Sequence, residues 1–463
     1  MSVPSRLAEG TDLVATSIRE FNIELYKEHL EEASFLYEQR RTYLHDPEVN
    51  WPDLQDWEVR FEAHIDALVV GGDLALTVCR QQAEAGDGGE LHAALSVMCR
   101  QKEKDGAFAL LSALDRGNED AGRAAADALA REAPTDWKDA LVRALQLDQV
   151  SPSVLAHVIG YRRFPFEEVL TGKLAEKLPV GRAELAWALG RVGSNTSVPL
   201  LWSLVSDDDV RVCEAAAVAL IRLGDERLLQ WLPEGVARHP WVRRIAAIGG
   251  QSRCVRPLLD VLETAPEPDA DAILALGLLG DLTAVGALVS LLGNDDLAEP
   301  AAVALNTITG ARLYAEMFVA AEVDPDELFD DEREAYERDG EAPSRQGRPF
   351  GNWERRPVRD QSVWRSWLEE NKHRFDRSVR WRMGQPYGPA ALFDCLNAST
   401  TPYDVRRATY EELVVRYRLD VPFEADLPVA QQRQFLGRIQ EWVGRQPQEF
   451  NDGRWYFGRQ LMS

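Results

Sequence analysis

DVRVCEAAAVALIRLG, residues 209–224, running into DERLLQWLPEGV, residues 225–236, decides the architecture. An Asp suited to capping opens the first stretch, Ala215, Ala216 and Ala219 fall on one helical face, Leu220 supplies bulk, and Gly224 ends the helix. The second stretch carries Leu229 and Leu232 at the spacing of an apolar stripe. Small residues let helix backbones approach closely, so the pair predicts a tight helical hairpin. One hairpin cannot bury both of its stripes, whereas a stack of hairpins can.

The flanking sequence repeats the pattern: GRAELAWALGRVGSNTSVPLLWSLVSD (181–207), VRRIAAIGGQSRCVRPLLDVLE (242–263) and ADAILALGLLGDLTAVGALVSLLGND (270–295). Gly193, Gly224, Gly250, Gly280 and Gly310 recur at intervals of roughly thirty residues, the length of two short antiparallel helices with tight links. Second helices carry Leu201, Leu204 and Val205, then Leu258, Leu259 and Leu262; a later first helix carries Ala301, Ala302, Ala304 and Leu305. Upstream, Glu119 to Leu129 repeats the alanine helix, and Ser151-Pro152 starts another with a Ser cap and Pro at the first turn.

Four segments follow. Residues 1–87 form an N-terminal helical cap, in which Leu25, His29, Ala33, Leu36 and Arg40 fall on successive turns. Residues 88–312 form the repeat array. Residues 313–385 are an acidic then basic and aromatic connector or insertion, and 386–463 hold closing repeat-like helices and a tail.

Asp209-Val210-Arg211, Val242-Arg243 and Asp404-Val405-Arg406 resemble the HEAT-like repeat of the phycobilisome-lyase type. That resemblance implies an all-α fold, a right-handed α-solenoid of HEAT-like helical hairpins with helical caps and one long connector. It also implies that Asp209 and Asp404 cap helices while Arg211, Arg243 and Arg406 lie along the stack and pair with acidic groups. With YKEHLEEASFLYEQRR (26–41) and RWRMGQPYGPAALFDCLN (380–397), the whole chain resembles an uncharacterised proteobacterial family often encoded among type VI secretion genes. No activity comes with that family. It implies a protein-binding role around a secreted effector or the secretion tip, as a loading adaptor or a cytoplasmic immunity factor.

Composition narrows the classes. Hydrophobic residues make up 45% of the 463 and charged residues 28%, which can bury a core and stay in solution. Acids exceed bases by 76 to 52, a formal charge of −24 that repels a phosphate backbone, so nucleic acid is excluded as partner. Cys79, Cys99, Cys213, Cys254 and Cys395 are scattered and read as reduced, buried thiols. Met1 to Gly10 does not read as a secretion signal, and no apolar run is long enough to insert in a membrane, so a cytoplasmic protein is expected.

No catalytic, cofactor or metal motif emerges. None of the seven histidines precedes Glu, there is no nucleophile elbow, and Gly172-Lys173 lacks the rest of a phosphate loop. Asp207-Asp208-Asp209 reads as a turn and cap, and Asp324, Asp326, Asp330 and Asp331 as a solvated acidic loop lacking the glycine and closing acid of a calcium loop. His29, His64 and His157 read as packed or solvated. Trp187, Trp202 and Trp231 lie in or beside apolar stripes and read as packing. Trp353, Arg355, Arg356, Arg359, Trp364, Arg365 and Trp367 lie outside the repeats, and Arg with Trp is the usual composition of binding hot spots. They read either as a docking surface for another protein or as contacts to the chain's own acidic array. The function classes left are a non-catalytic scaffold or adaptor and an enzyme of unrecognised type, which would need a buried cluster of ionisable groups.

Overall fold

The computed structural model describes residues 17–46, 48–176, 180–264, 269–320, 328–339, 344–345, 348–349, 351–446 and 449–462. Met1 to Gly10, Asp324 and Asp326 lie outside the described residues, as do the side chains of Asp330 and Asp331. The chain divides into two compact units, Met1–Arg40 with Asp56–Leu185, and Arg41–Gln55 with Ala186–Ser463.

The first unit takes most of α1 (Ile18–His45) and α2 (Gln55–Val70), then α3 (Gly72–Ala85), α4 (Gly88–Arg100), α5 (Lys104–Ala113), α6 (Glu119–Glu132), α7 (Lys138–Gln146), α8 (Pro152–Arg162) and α9 (Glu167–Ala175). The helices α4, α6 and α8 pack side by side through small residues, among them the buried Ala93, Ala94, Ala124, Ala125, Ala128 and Ala156. Along α1, Leu30, Ala33, Leu36 and Tyr37 form the buried stripe. The expected Ser151 cap is not made: Pro152 occupies the first turn, and the Ser151 hydroxyl instead lies 2.9 Å from that of Ser153.

The second unit stacks most of α10 (Arg182–Val192), then α11 (Val198–Leu204), α12 (Val210–Leu223), α13 (Glu226–Arg238), α14 (Val242–Gly249), α15 (Val255–Thr264), α16 (Ala270–Leu279), α17 (Val285–Leu291) and α18 (Ala298–Thr309). The even-numbered helices are first helices and the odd-numbered ones second helices. First helices touch almost backbone to backbone: a Cβ added at Gly277 of α16 would stand 2.9 Å from Ala304 Cα of α18. The caps follow the sequence. Asp209 accepts from Arg211 N, Asp225 from Arg227 N and Asp269 from Ala272 N, each at 2.9 Å. Gly224, Gly280 and Gly310 end their helices at φ of +91°, +71° and +63°, the left-handed region. Gly250 ends α14 in extended backbone instead.

Beyond the repeats come α19 (Asp330–Asp339), α20 (Gln361–Asn371), α21 (Pro389–Asn397), α22 (Tyr403–Tyr417) and α23 (Val429–Gly444). The last three close a second apolar core with Trp51 and Leu54, built on Tyr387, Leu392, Leu413, Tyr417, Phe423 and Ile439. The all-α solenoid reading holds: strands among the described residues are confined to four two-stranded antiparallel ribbons. The longest of these, Tyr314–Ala320 against Gly351–Pro357, lies in the segment read from sequence as connector.

Candidate interaction surfaces

Every α-helix leaves its last carbonyls without intrahelical partners, and these carry the negative end of the helix dipole. In the second unit the chain covers a row of such ends with its own arginines and amides. Arg222 Nε donates to Gly190 O of α10 at 3.0 Å, and Arg418 Nη1 to Arg222 O of α12 at 2.6 Å. Arg416 Nη2 donates to Gly250 O, just past α14, at 2.9 Å. At the end of α16, Arg382 Nη2 donates to Leu278 O at 2.6 Å, Arg380 Nε to Leu279 O at 2.8 Å and Trp381 N to Gly280 O at 2.8 Å. Met383 N and Gly384 N reach Thr307 O and Ile308 O of α18 at 2.7 and 3.0 Å. Residues 380–384, with α22 lying across α12, α14 and α16, thus form a strap over the first helices.

The glycine turns serve this strap as well as their own helices. A Cβ on Gly224 would strike the Arg418 guanidinium, one on Gly280 the Trp381 carbonyl, and one on Gly310 the Met383 carbonyl. The period that marks the repeat in sequence is therefore also the floor on which the strap lies.

Buried ion pairs hold the strap down. On α22, Glu411 accepts from Arg191 at 3.3 Å and from Arg222 at 2.5 Å, and Glu424 takes the other side of Arg191 at 3.1 Å. Glu412, one residue along, accepts from Arg382 Nη2 at 2.7 Å and from the Tyr387 hydroxyl at 2.5 Å. The side chains of Arg382, Glu412 and Arg416 have no exposure at all. A buried ionisable cluster of the kind an enzyme would need is thus present. Of its donors, those of Arg382 and Arg416 that are paired beyond Glu412 reach Leu278 O, Gly250 O, Tyr456 O and Thr409, all groups of this chain. The arrangement staples α22 to the repeats.

In the first unit α1 takes a comparable position. Ser34 Oγ donates to Asp87 at 3.0 Å, Tyr37 stacks on His92 of α4 at 3.8 Å, and its hydroxyl donates to Asp127 of α6 at 2.8 Å. His29 of α1 and His64 of α2 meet Nδ1 to Nδ1 at 3.0 Å. Burial first, and the neighbouring His29 second, hold His64 below the usual imidazole range. Among the described residues no third His, Cys, Asp or Glu completes a metal-binding group.

The seven residues read as a docking surface separate. Trp364 is fully buried, its indole N–H donating to Val358 O at 2.7 Å. Trp364, Trp367, Phe375 and Trp381 form a chain of ring contacts at 6.4, 6.2 and 4.9 Å, so these aromatics pack on one another. Arg356 pairs with Glu48 at 2.6 Å and with Glu354 at 2.8 Å, and Arg359 pairs with Glu299 of α18. These two arginines dock on the chain's own acids. Trp353, at 70% exposure, and Arg355 and Arg365 do face solvent. Arg355 lies over the Tyr314 ring at 4.6 Å, and Arg365 bonds Gln361 at 2.8 Å.

The residues read as stacking contacts separate too. Arg243 bonds Asp269, the cap of α16, as the repeat pattern implies. Arg211 folds back on its own Asp209 at 3.3 Å. Arg406 meets no acid among the described residues: its Nε donates to Leu396 O at 2.9 Å and its Nη2 to Gln432 at 2.7 Å, over Trp51. Asp404 lies in the first turn of α22, where Pro402 holds the cap position. Sequence reasoning missed Arg244, which joins Asp271 of α16 at 2.9 Å to Glu214 of α12 at 3.9 Å; its adjacency to Arg243 was the available signal. It also missed Arg380, Arg382, Glu411, Glu412 and Arg416.

Stacked hairpins, Asp caps and small-residue first helices define the class, an all-α helical-repeat protein. A family model described as HEAT repeats matches residues 168–250. A comparison with curated proteins finds no match. HEAT repeats commonly serve as protein-interaction scaffolds. No helix among the described residues is long and apolar enough to cross a membrane.

Proposed function

We propose that the chain is a non-catalytic scaffold that binds another protein through the second helices of its second unit, acting in the cytoplasm as a loading adaptor or chaperone for a type VI secretion effector or tip protein. One observation carries the choice of surface: the strap and α22 already occupy the first helices. A partner competing for that side would have to displace Arg382, Arg416 and Glu412, whose side chains are wholly buried. The second helices instead present Arg227 and Arg238 on α13 and Arg256 on α15 to solvent. Partly exposed Trp202 and Trp231 lie among them, the mixture of Trp and Arg that concentrates binding energy. Trp353, exposed on the ribbon, is the second candidate contact. The secretion setting rests on the resemblance carried by residues 26–41 and 380–397.

The test is capture of the tagged chain with chemical crosslinking from the bacterium that encodes it, beside a variant carrying Arg227→Glu and Arg256→Glu. The proposal expects one secretion-tip or effector protein in stoichiometric amount, crosslinked to α11, α13 or α15 and lost from the variant. Deleting the gene should then abolish export of that protein. Export that continues, with cells now killed by the captured protein, assigns the immunity role. Equal capture by both forms refutes the surface.

A further inference from the structure

The buried arginines under α22 form two groups that differ in charge balance. Arg191 and Arg222 face Glu411 and Glu424, two cations against two carboxylates. Arg380, Arg382 and Arg416 share one carboxylate among the described residues, Glu412, which is already engaged by Arg382 and Tyr387. Tyr387 and Tyr417 add no negative charge, because burial raises both phenols above their usual range. The second group therefore carries an excess of buried positive charge.

Arg380 is where that excess is least compensated. It is 2% exposed, and its guanidinium carbon lies 3.6 Å from the ring centroids of both Tyr387 and Trp455. Its Nε is used on Leu279 O, yet neither Nη has an acceptor among the described residues. Arg406, also buried, differs: it places Nε and Nη2 on Leu396 O and Gln432. With rings on both faces, acceptors reach Arg380 only in the plane of its fork. The Arg416 guanidinium lies 5.8 Å from the same two rings, adding a second cation. Trp455 is itself partly exposed, so the clamp lies one ring from solvent.

We propose that the Nη edge of Arg380, clamped between Tyr387 and Trp455 and flanked by Arg416, binds one small oxyanion, a phosphate or a carboxylate, through paired hydrogen bonds. A planar guanidinium fork matches two oxygens of either group, and an anion there supplies both the missing acceptors and the missing charge. Burial first, with the neighbouring Arg416 cation acting the same way, lowers the Arg380 pKa to about 10, a cost that a bound anion offsets.

The test uses the full-length protein exchanged into chloride buffer. Inorganic phosphate or acetate is titrated in, with sodium chloride at matched ionic strength, while thermal unfolding and tryptophan emission are followed. The expected result is a saturable rise in Tm of a few degrees with one or both anions, beyond that of chloride. Affinity should fall at least tenfold in Arg380→Lys, which keeps the charge and loses the fork, and should stay unchanged in Arg123→Gln, which alters an exposed arginine of α6. Trp455→Phe should keep the Tm response and lose the emission change. Because an anion trapped during folding would blunt the titration, ion chromatography of desalted, urea-unfolded protein is run in parallel; about one phosphate or carboxylate per chain supports the site. The proposal is overturned if neither assay finds an anion, if Arg380→Lys responds as wild type does, or if the emission change persists in Trp455→Phe.

Discussion

Replacing Glu412 with Gln should weaken the molecule more than any surface charge substitution. The carboxylate bonds Arg382 at 2.7 Å and the Tyr387 hydroxyl at 2.5 Å, with no exposed surface on Glu412 or Arg382. Neutralising it leaves three buried guanidiniums with no facing carboxylate among the described residues. Breaking a buried pair from one side costs about 3–5 kcal/mol, and because Gln still accepts one hydrogen bond the lower figure applies, about 3 kcal/mol. That is roughly a 150-fold change in an equilibrium constant. Glu424→Gln makes the internal comparison: it leaves Glu411 on Arg191 and Arg222, so about 1–2 kcal/mol is expected. Arg256→Gln removes an exposed 2.7 Å pair with Asp260 and should change stability by less than about 0.5 kcal/mol. Urea unfolding by circular dichroism reads the midpoints, and its slope checks that each variant unfolds as wild type does. Hydrogen exchange reads the cause, since losing the strap should deprotect the last turns of α14 and α16 by about a hundredfold. Equal midpoints for Glu412→Gln and Arg256→Gln, with unchanged exchange at those turns, would refute the strap.

Three further outcomes are expected. Gly310→Ala forces a side chain into a left-handed position against the Met383 carbonyl, so a loss of at least about 1–2 kcal/mol should appear in the same unfolding assay. Trp364→Ala empties a fully buried site and should cost about 3–5 kcal/mol, whereas Trp353→Ala should leave the urea midpoint within about 0.5 kcal/mol and act only on partner capture. His64 is held low by burial and by His29, with Arg60 acting the same way and Glu32 against it. The unfolded chain therefore takes up that proton first, and stability is lost as pH falls from about 6.5 through the lower folded value. His64→Gln should flatten the Tm difference between about pH 7.5 and pH 5.5, and an unchanged difference would rule the pair out as its source.

The repeat was legible because its signals are local. Alanine faces, Asp caps and turn glycines act within one or two helical turns, and Gly224, Gly280 and Gly310 stand where left-handed backbone is needed. The strap was not legible, because its contacts join residues far apart in sequence: Arg416 to Gly250, Arg382 to Leu278, Arg222 to Glu411. Nothing within a window around Arg382 distinguishes a buried capping arginine from a solvated one. The same limit explains the split among the docking residues. Composition placed Trp353 and Trp364 together, but the alternation of a strand exposes the first, while the helical face of α20 buries the second.

The most direct test of the account is hydrogen exchange on the full chain with and without its captured partner. New protection on α11, α13 and α15, with the C-terminal turns of α12, α14 and α16 unchanged, is the predicted result. Protection gained at those turns, with α22 exchanging faster, would mean that the partner displaces the strap and binds the first helices, contradicting the claim that the chain reserves that surface for itself.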